Sequence, residues 1–151
     1  MKTQEEIQNE LREFESLVSN PLNALRVYAP FKRFRRYYVL VVYKNLHHDV
    51  KQSLGKKMLD AVFECDLLLP RCQFGNKSTK LAATEDFMHN FSFLLSGVEF
   101  LALSNVGLSI KQATELVMLI KEIQAQMGAF SKYLKTEGSH QFPQPTGEGS
   151  E

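Results

Sequence analysis

The sequence predicts an all-α chain: an up-down four-helix bundle with an extra N-terminal helix and a disordered C-terminal tail. Three observations predict it. Apolar residues recur in steps of three and four over long segments, the period of helices with one buried face. Short polar or Gly/Pro breaks separate those segments, which suits antiparallel neighbours. No segment alternates apolar and polar residues like a half-buried strand; residues 39–42 are rich in β-branched Val but lie inside a longer helical period.

Thr3 followed by Glu6 has the form of a capping box, and Ile7, Leu11, Phe14 and Leu17/Val18 follow at helical spacing. Ser19-Asn20-Pro21 punctuates, and residues 22–28 suit a short helix. Pro30 marks a break or the first turn of the next helix, which runs from about Phe31 to Leu46. His47-His48-Asp49 then turns, with Asp49 as the N-cap. The following helix spans 50–69 with Val50, Leu54, Met58, Ala61, Cys65 and Leu68 inward, and Pro70 stops it. A loop at 70–78 leads to a long helix, 79–104, striped by Phe87, Phe91, Leu94, Val98 and Leu101. Asn105-Val106-Gly107 ends it. Ser109 with Gln112 opens the last helix, striped by Ala113, Leu116, Ile120, Ile123, Met127, Phe130 and Leu134. Three regions follow: 1–28 as an amphipathic helix and linker, 29–135 as the bundle, and 136–151 as a Gly/Pro/Ser-rich disordered tail.

The 151 residues, 44% hydrophobic, suit one domain with a real core. No run of about 18 uncharged apolar residues exists, so no membrane span is expected. The N-terminus lacks the basic start and apolar block of a signal peptide. Cys65 and Cys72 suit free thiols in a reducing compartment, and together these features read as cytoplasmic.

The formal net charge of +1 hides a gradient. In residues 1–18, Lys2 and Arg12 face Glu5, Glu6, Glu10, Glu13 and Glu15, leaving −3. The tail adds −3 through Glu137, Glu148 and Glu151, so residues 19–135 carry +7. A basic middle points to a polyanionic partner, or to a soluble surface whose acids are collected at the ends.

The densest basic stretch is YAPFKRFRRYYV, residues 28–39, with four cations and five aromatic rings. At about 100° per residue, Phe34, Tyr38, Val41 and Val42 gather around Phe31 as a buried face. Lys32, Arg33 and Arg36 point away, and Arg35 sits at the border. The rings are therefore core rather than stacking platforms for bases. The candidate nucleic-acid contacts are Lys32, Arg33, Arg35, Arg36, Lys44, Lys51, Lys56, Lys57, Arg71, Lys77 and Lys80. Leu40 and Tyr43 share the cationic side, and Phe93 and Phe100 lie off the main stripe of their helix beside His89 and Ser96. Together with the surplus Phe63 and Phe74, they mark candidate protein interfaces and oligomerisation.

No catalytic constellation is present. His47, His48, Asp49 and His89 lack the helical spacing of a metal site. Cys65-x6-Cys72 is no C-x-x-C unit, and Cys65 reads as a core thiol. Asp60, Glu64 and Asp66 after Lys56 and Lys57 read as a charge-paired solvated face. No metal or other cofactor is implied.

Three segments carry a family resemblance. The last helix, LSIKQATELVMLIKEIQAQMGAFSKYLK, places Ile110, Gln112, Leu116, Glu122, Ile123, Gly128 and Phe130 on a C-terminal signature of small bacterial four-helix-bundle proteins. HDVKQSLGKKMLDAVFECDLLL aligns Leu54-Gly55 with a Leu-Gly pair, and KLAATEDFMHNFSFLL matches the long helix. The chain thus resembles, over about 31–135, the accessory variability determinant (Avd) proteins of diversity-generating retroelements and their relatives encoded in 23S rRNA intervening sequences. It departs from the pattern at Gln124-Ala125 (usually Gly-Arg), Ala129 (Gly), Phe130 (Trp), and Asn90, Ser92 and Ser96, where arginines are frequent.

The resemblance implies a barrel-like homopentamer without catalytic activity. It would bind the retroelement's reverse transcriptase and structured template RNA and support mutagenic cDNA synthesis. Two other readings compete. One is an oligomeric bundle that binds proteins and no nucleic acid. The other is a helical-bundle enzyme with a carboxylate/histidine metal site, which the absent E-x-x-H spacing disfavours.

Overall fold

A computed structural model of the chain describes residues 1–140, with side chains to Thr136. All regular structure among them is helical, and they form no strand. There are five helices: α1 Gln4–Val18, α2 at 28–45, α3 at 48–73, α4 Lys77–Ser104 and α5 Ile110–His140. A short 3-10 turn, Pro21–Ala24, stands where the sequence suggested a short helix. No helix among the described residues is long and apolar enough to cross a membrane.

Local capping chemistry fixes several boundaries. The Thr3 hydroxyl accepts from the Glu6 N–H at 3.1 Å while the Glu6 carboxylate accepts from the Thr3 N–H at 2.8 Å. Ser109 and Gln112 repeat this reciprocal arrangement before α5. Asn76 caps α4 through a 2.8 Å bond from the Thr79 N–H, so the helix starts at Lys77 rather than at Thr79. α4 closes on Asn105 in the left-handed region, φ 55°, as the Asn/Gly ending predicted.

Four further boundaries differ from expectation. α2 begins at Tyr28, which puts Pro30 in its first turn, where a missing N–H costs nothing. Asp49 lies inside the first turn of α3, and His47 occupies the cap position without a side-chain bond. Pro70 does not stop α3, which runs to Gln73. The continuation carries a buried Cys72, and the Phe74 N–H closes the last turn on the Pro70 carbonyl at 2.8 Å. α5 runs on to His140, past the predicted start of the tail; residues 141–151 of that tail lie outside the described residues.

The core follows the predicted stripes. Phe31 and Phe34 of α2 meet Phe87 and Phe91 of α4, with ring centroids 5.2–6.1 Å apart. Phe87, Phe91, Leu94, Val98 and Leu101 are buried, as are Leu116, Ile120 and Ile123 on α5. α3 packs along α4, α4 along α5, and α5 along α2. Cys65 is buried as expected. The buried Thr84 hydroxyl donates to the Lys80 carbonyl at 2.7 Å and lies 3.6 Å from the Cys72 sulfur.

Two π-helical turns were not legible in the pattern: Tyr38–Val42 in α2 and Lys51–Gly55 in α3. They are coupled, because the buried Tyr38 hydroxyl donates to the Gly55 carbonyl at 2.8 Å. Across the π turn of α2, Val42 is buried as its place on the wheel predicts, whereas Val41, expected beside it, is only half-buried. Near this corner the loops also meet, the His47 N–H donating to the Val106 carbonyl at 2.9 Å. Gly107, φ +107°, lies so close to Asn45 that a Cβ would fall 2.5 Å from the Asn45 oxygen.

Candidate nucleic-acid and protein interface

α2 presents its cations because Phe31, Phe34 and Tyr38 turn its opposite face into the core. Three of the four cations in residues 28–39 have internal roles. Arg35 is half-buried, ion-paired with Asp66 of α3, and stacked 5.5 Å from the Phe31 ring centre. Arg33 meets Glu122 of α5 at 3.4 Å, both side chains well exposed. The Lys32 ammonium lies 4.8 Å from the Tyr28 ring centre. Arg36 is exposed and joins no ion pair among the described residues.

Beyond that stretch, Lys51 is half-buried, its ammonium 5.2 Å from the Tyr43 ring centre and 3.5 Å from the Lys44 carbonyl. Lys44, Lys56, Lys57, Arg71 and Lys77 are exposed, and Lys80 is half-buried. None of these six forms an ion pair among the described residues. The expected pairing of Lys56 and Lys57 with Asp60 and Glu64 is therefore absent, and Asp66 turns to Arg35 instead. Burial pushes the Asp66 carboxyl up from its ordinary range, against the lowering by the Arg35 charge and hydrogen bond.

The four candidate interface residues separate. Leu40, Phe93 and Phe100 are exposed, whereas Tyr43 is half-buried with its ring 6.2 Å from that of Tyr38. Leu40 joins Phe63, Val39, Lys32, Arg35 and Arg36 around an open groove of about 520 Å³, which Glu15 of α1 also lines. On α4, the exposed Leu103 extends the line of Phe93 and Phe100. Its three-residue step from Phe100 is the signal that sequence reasoning overlooked. Met118 was also missed; it is exposed beside Arg33, Tyr37, Glu115, Leu119 and Glu122. Burial and the Glu115 charge both push the Tyr37 hydroxyl above its ordinary pKa.

His47, His48, Asp49 and His89 are all exposed. Among the described residues, no group of three or more His, Cys, Asp or Glu side chains is placed to hold a metal ion. The arrangement offers point charges for phosphates and apolar ridges for protein. Comparison with protein families, with curated proteins and with solved structures returned no match to this chain.

Proposed function

We propose that this chain is a non-catalytic accessory protein of a diversity-generating retroelement. On this reading it binds the reverse transcriptase and its structured template RNA, and supports mutagenic cDNA synthesis. The observation that carries the reading is the resemblance across about 31–135 to the Avd proteins. The surface supplies chemistry in keeping with it: Arg36, Lys44, Lys56 and Lys57 remain exposed without ion-pair partners among the described residues. The short connections and the packing of α2 to α5 fit an up-down four-helix bundle. The Phe93–Phe100–Leu103 ridge gives that bundle a face for assembly, with the pentamer as the expected closed ring. A cytoplasmic setting goes with this role and with the two buried free thiols.

The test is co-purification of the full chain with the reverse transcriptase of a neighbouring gene and with its template RNA. Binding to that RNA weakens with salt, and K44S/K56S/K57S reduces the log–log salt slope by roughly 2 to 3. A chain that ignores RNA at low salt but holds the polymerase establishes the protein-only module instead. One that ignores both ends the proposal.

A further inference from the structure

Among the described residues α1 has little of the body against it: only its last turns, through Phe14, Glu15 and Val18, share a hollow with Tyr28 and Lys32. Its 15 residues bury no side chain, and Ile7, Leu11, Phe14, Leu17 and Val18 are all exposed. Helices of about 12–15 residues are marginal in water, and most helical stability in proteins comes from packing an amphipathic face. The capping box starts α1, but its apolar stripe still needs a surface.

The linker restricts where that surface can be. Ser19 turns the chain in the left-handed region, φ 45°. The Asn20 side chain accepts from the Leu22 N–H at 3.0 Å and donates to the Tyr28 hydroxyl at 3.1 Å. The Pro21 carbonyl accepts from the Gln73 side chain at 2.7 Å. This anchored turn brings Glu15 to the mouth of the groove between α2 and α3, while Ile7 and Leu11 stay about half exposed.

We infer that α1 is an exchanged arm, its apolar stripe seated in the α2–α3 groove of a second copy of this chain. Charge complementarity selects that occupant. The segment 1–18 carries −3, and Glu6, Glu10 and Glu13 lie along one flank of the Ile7–Leu11–Phe14 stripe. The groove offers Lys32 and Arg36, flanking the Arg35 that Asp66 already pairs, beside Val39, Leu40 and Phe63. One chain thus carries both halves of a matched surface, acid with apolar on the arm and base with apolar on the body. Reciprocal exchange gives a closed dimer, and head-to-tail exchange gives a ring. The inference names a contact within the proposed assembly and does not depend on RNA binding.

Size-exclusion with light scattering on the full chain is expected to show an oligomer, and L11E/F14E is expected to weaken it about tenfold or more. Both residues are exposed, so the unfolding transition of the body should be unchanged. The arm variant E10K/E13K and the groove variant K32E/R36E should each weaken assembly, and mixing the two should restore it. Under mild oxidation, L11C chains mixed with L40C chains should form an interchain disulfide. Native Cys65 and Cys72 are buried and leave that readout clean. A monomeric chain, an oligomer indifferent to L11E/F14E, or L11C and L40C chains that form no mixed disulfide would each overturn the exchange. RNA binding by L11E/F14E, measured in parallel, reports on the accessory role separately.

Discussion

Three glycine-to-alanine substitutions separate backbone strain from steric clash, the clash arising where Gly107 meets the α2–α3 corner. Gly75 and Gly107 have nearly the same backbone, φ +106° and +107°, but different surroundings. At Gly75 an added Cβ meets only the Thr79 side chain, at 3.4 Å or more. Alanine there bears the conformational penalty of about 1–2 kcal/mol, partly offset by roughly 0.4–1 kcal/mol from a less flexible unfolded chain. The net loss is about 1 kcal/mol. At Gly107 the same Cβ would lie 2.5 Å from the Asn45 oxygen and 3.0 Å from the Leu46 Cα. Those are backbone atoms, so the corner itself must move, adding about 1–3 kcal/mol of overpacking. G107A should therefore lose about 2–4 kcal/mol, a fall of roughly 4–16 °C in Tm for a domain of this size. Gly128 is the opposite control: nothing lies within 4 Å of its Cβ position inside α5. G128A should gain about 0.5–1 kcal/mol. Urea unfolding followed by circular dichroism measures all three. If G107A falls within about 0.5 kcal/mol of G75A, the close approach of the 105–107 loop to α2 does not hold the corner, and the reasoning fails.

Removing the Tyr38 hydroxyl should be nearly as informative: Y38F loses its 2.8 Å bond to the Gly55 carbonyl and about 1–2 kcal/mol, and equal denaturation midpoints for the two proteins would contradict that. R35M should make stability more sensitive to pH. Burial already raises the Asp66 pKa, and losing Arg35 raises it further, so the variant lies closest to wild type in acid and falls behind as pH rises through that pKa. Unfolding curves from pH 4 upwards, within the usual carboxylate range, test the sign. The Cys65 thiol is buried, and that burial pushes its pKa well above the ordinary value. Thiol reagents should label Cys65 in the native protein about 100-fold or more slowly than in urea, and rapid native labelling would refute its placement.

How much of this was legible depended on sequence distance. The Thr3–Glu6 and Ser109–Gln112 boxes were readable because each is closed by residues three apart. The stripes on α4 and α5 were readable because burial repeats along one helix. The continuation of α3 through Pro70 was not, because it turns on burying Cys72, a tertiary gain set against one missing N–H. The π turns escaped because a wheel drawn at constant pitch cannot show an inserted residue. The candidate site was legible as a list of cations but not as a surface. Asp66 and Glu122, which engage Arg35 and Arg33, lie 31 and 89 residues away in the chain.

That separation decides which cations can test the nucleic-acid reading. Replacing Arg35 removes a phosphate-seeking charge, but it also leaves the half-buried Asp66 unpaired and strips a cation from the Phe31 ring. Lost binding in such a variant would not distinguish contact from a loosened α2–α3 tie. Arg33 carries a milder form of the same ambiguity, since its pair with Glu122 is exposed and contributes little. Lys32 and Arg36 line the groove assigned to the arm of a second copy, so their loss would disturb assembly as well. Lys44, Lys56 and Lys57 are exposed, make no ion pair among the described residues and lie outside that groove lining. A salt slope that drops when those three are replaced, with mass and unfolding midpoint unchanged, can be traced to phosphate contact rather than to the fold.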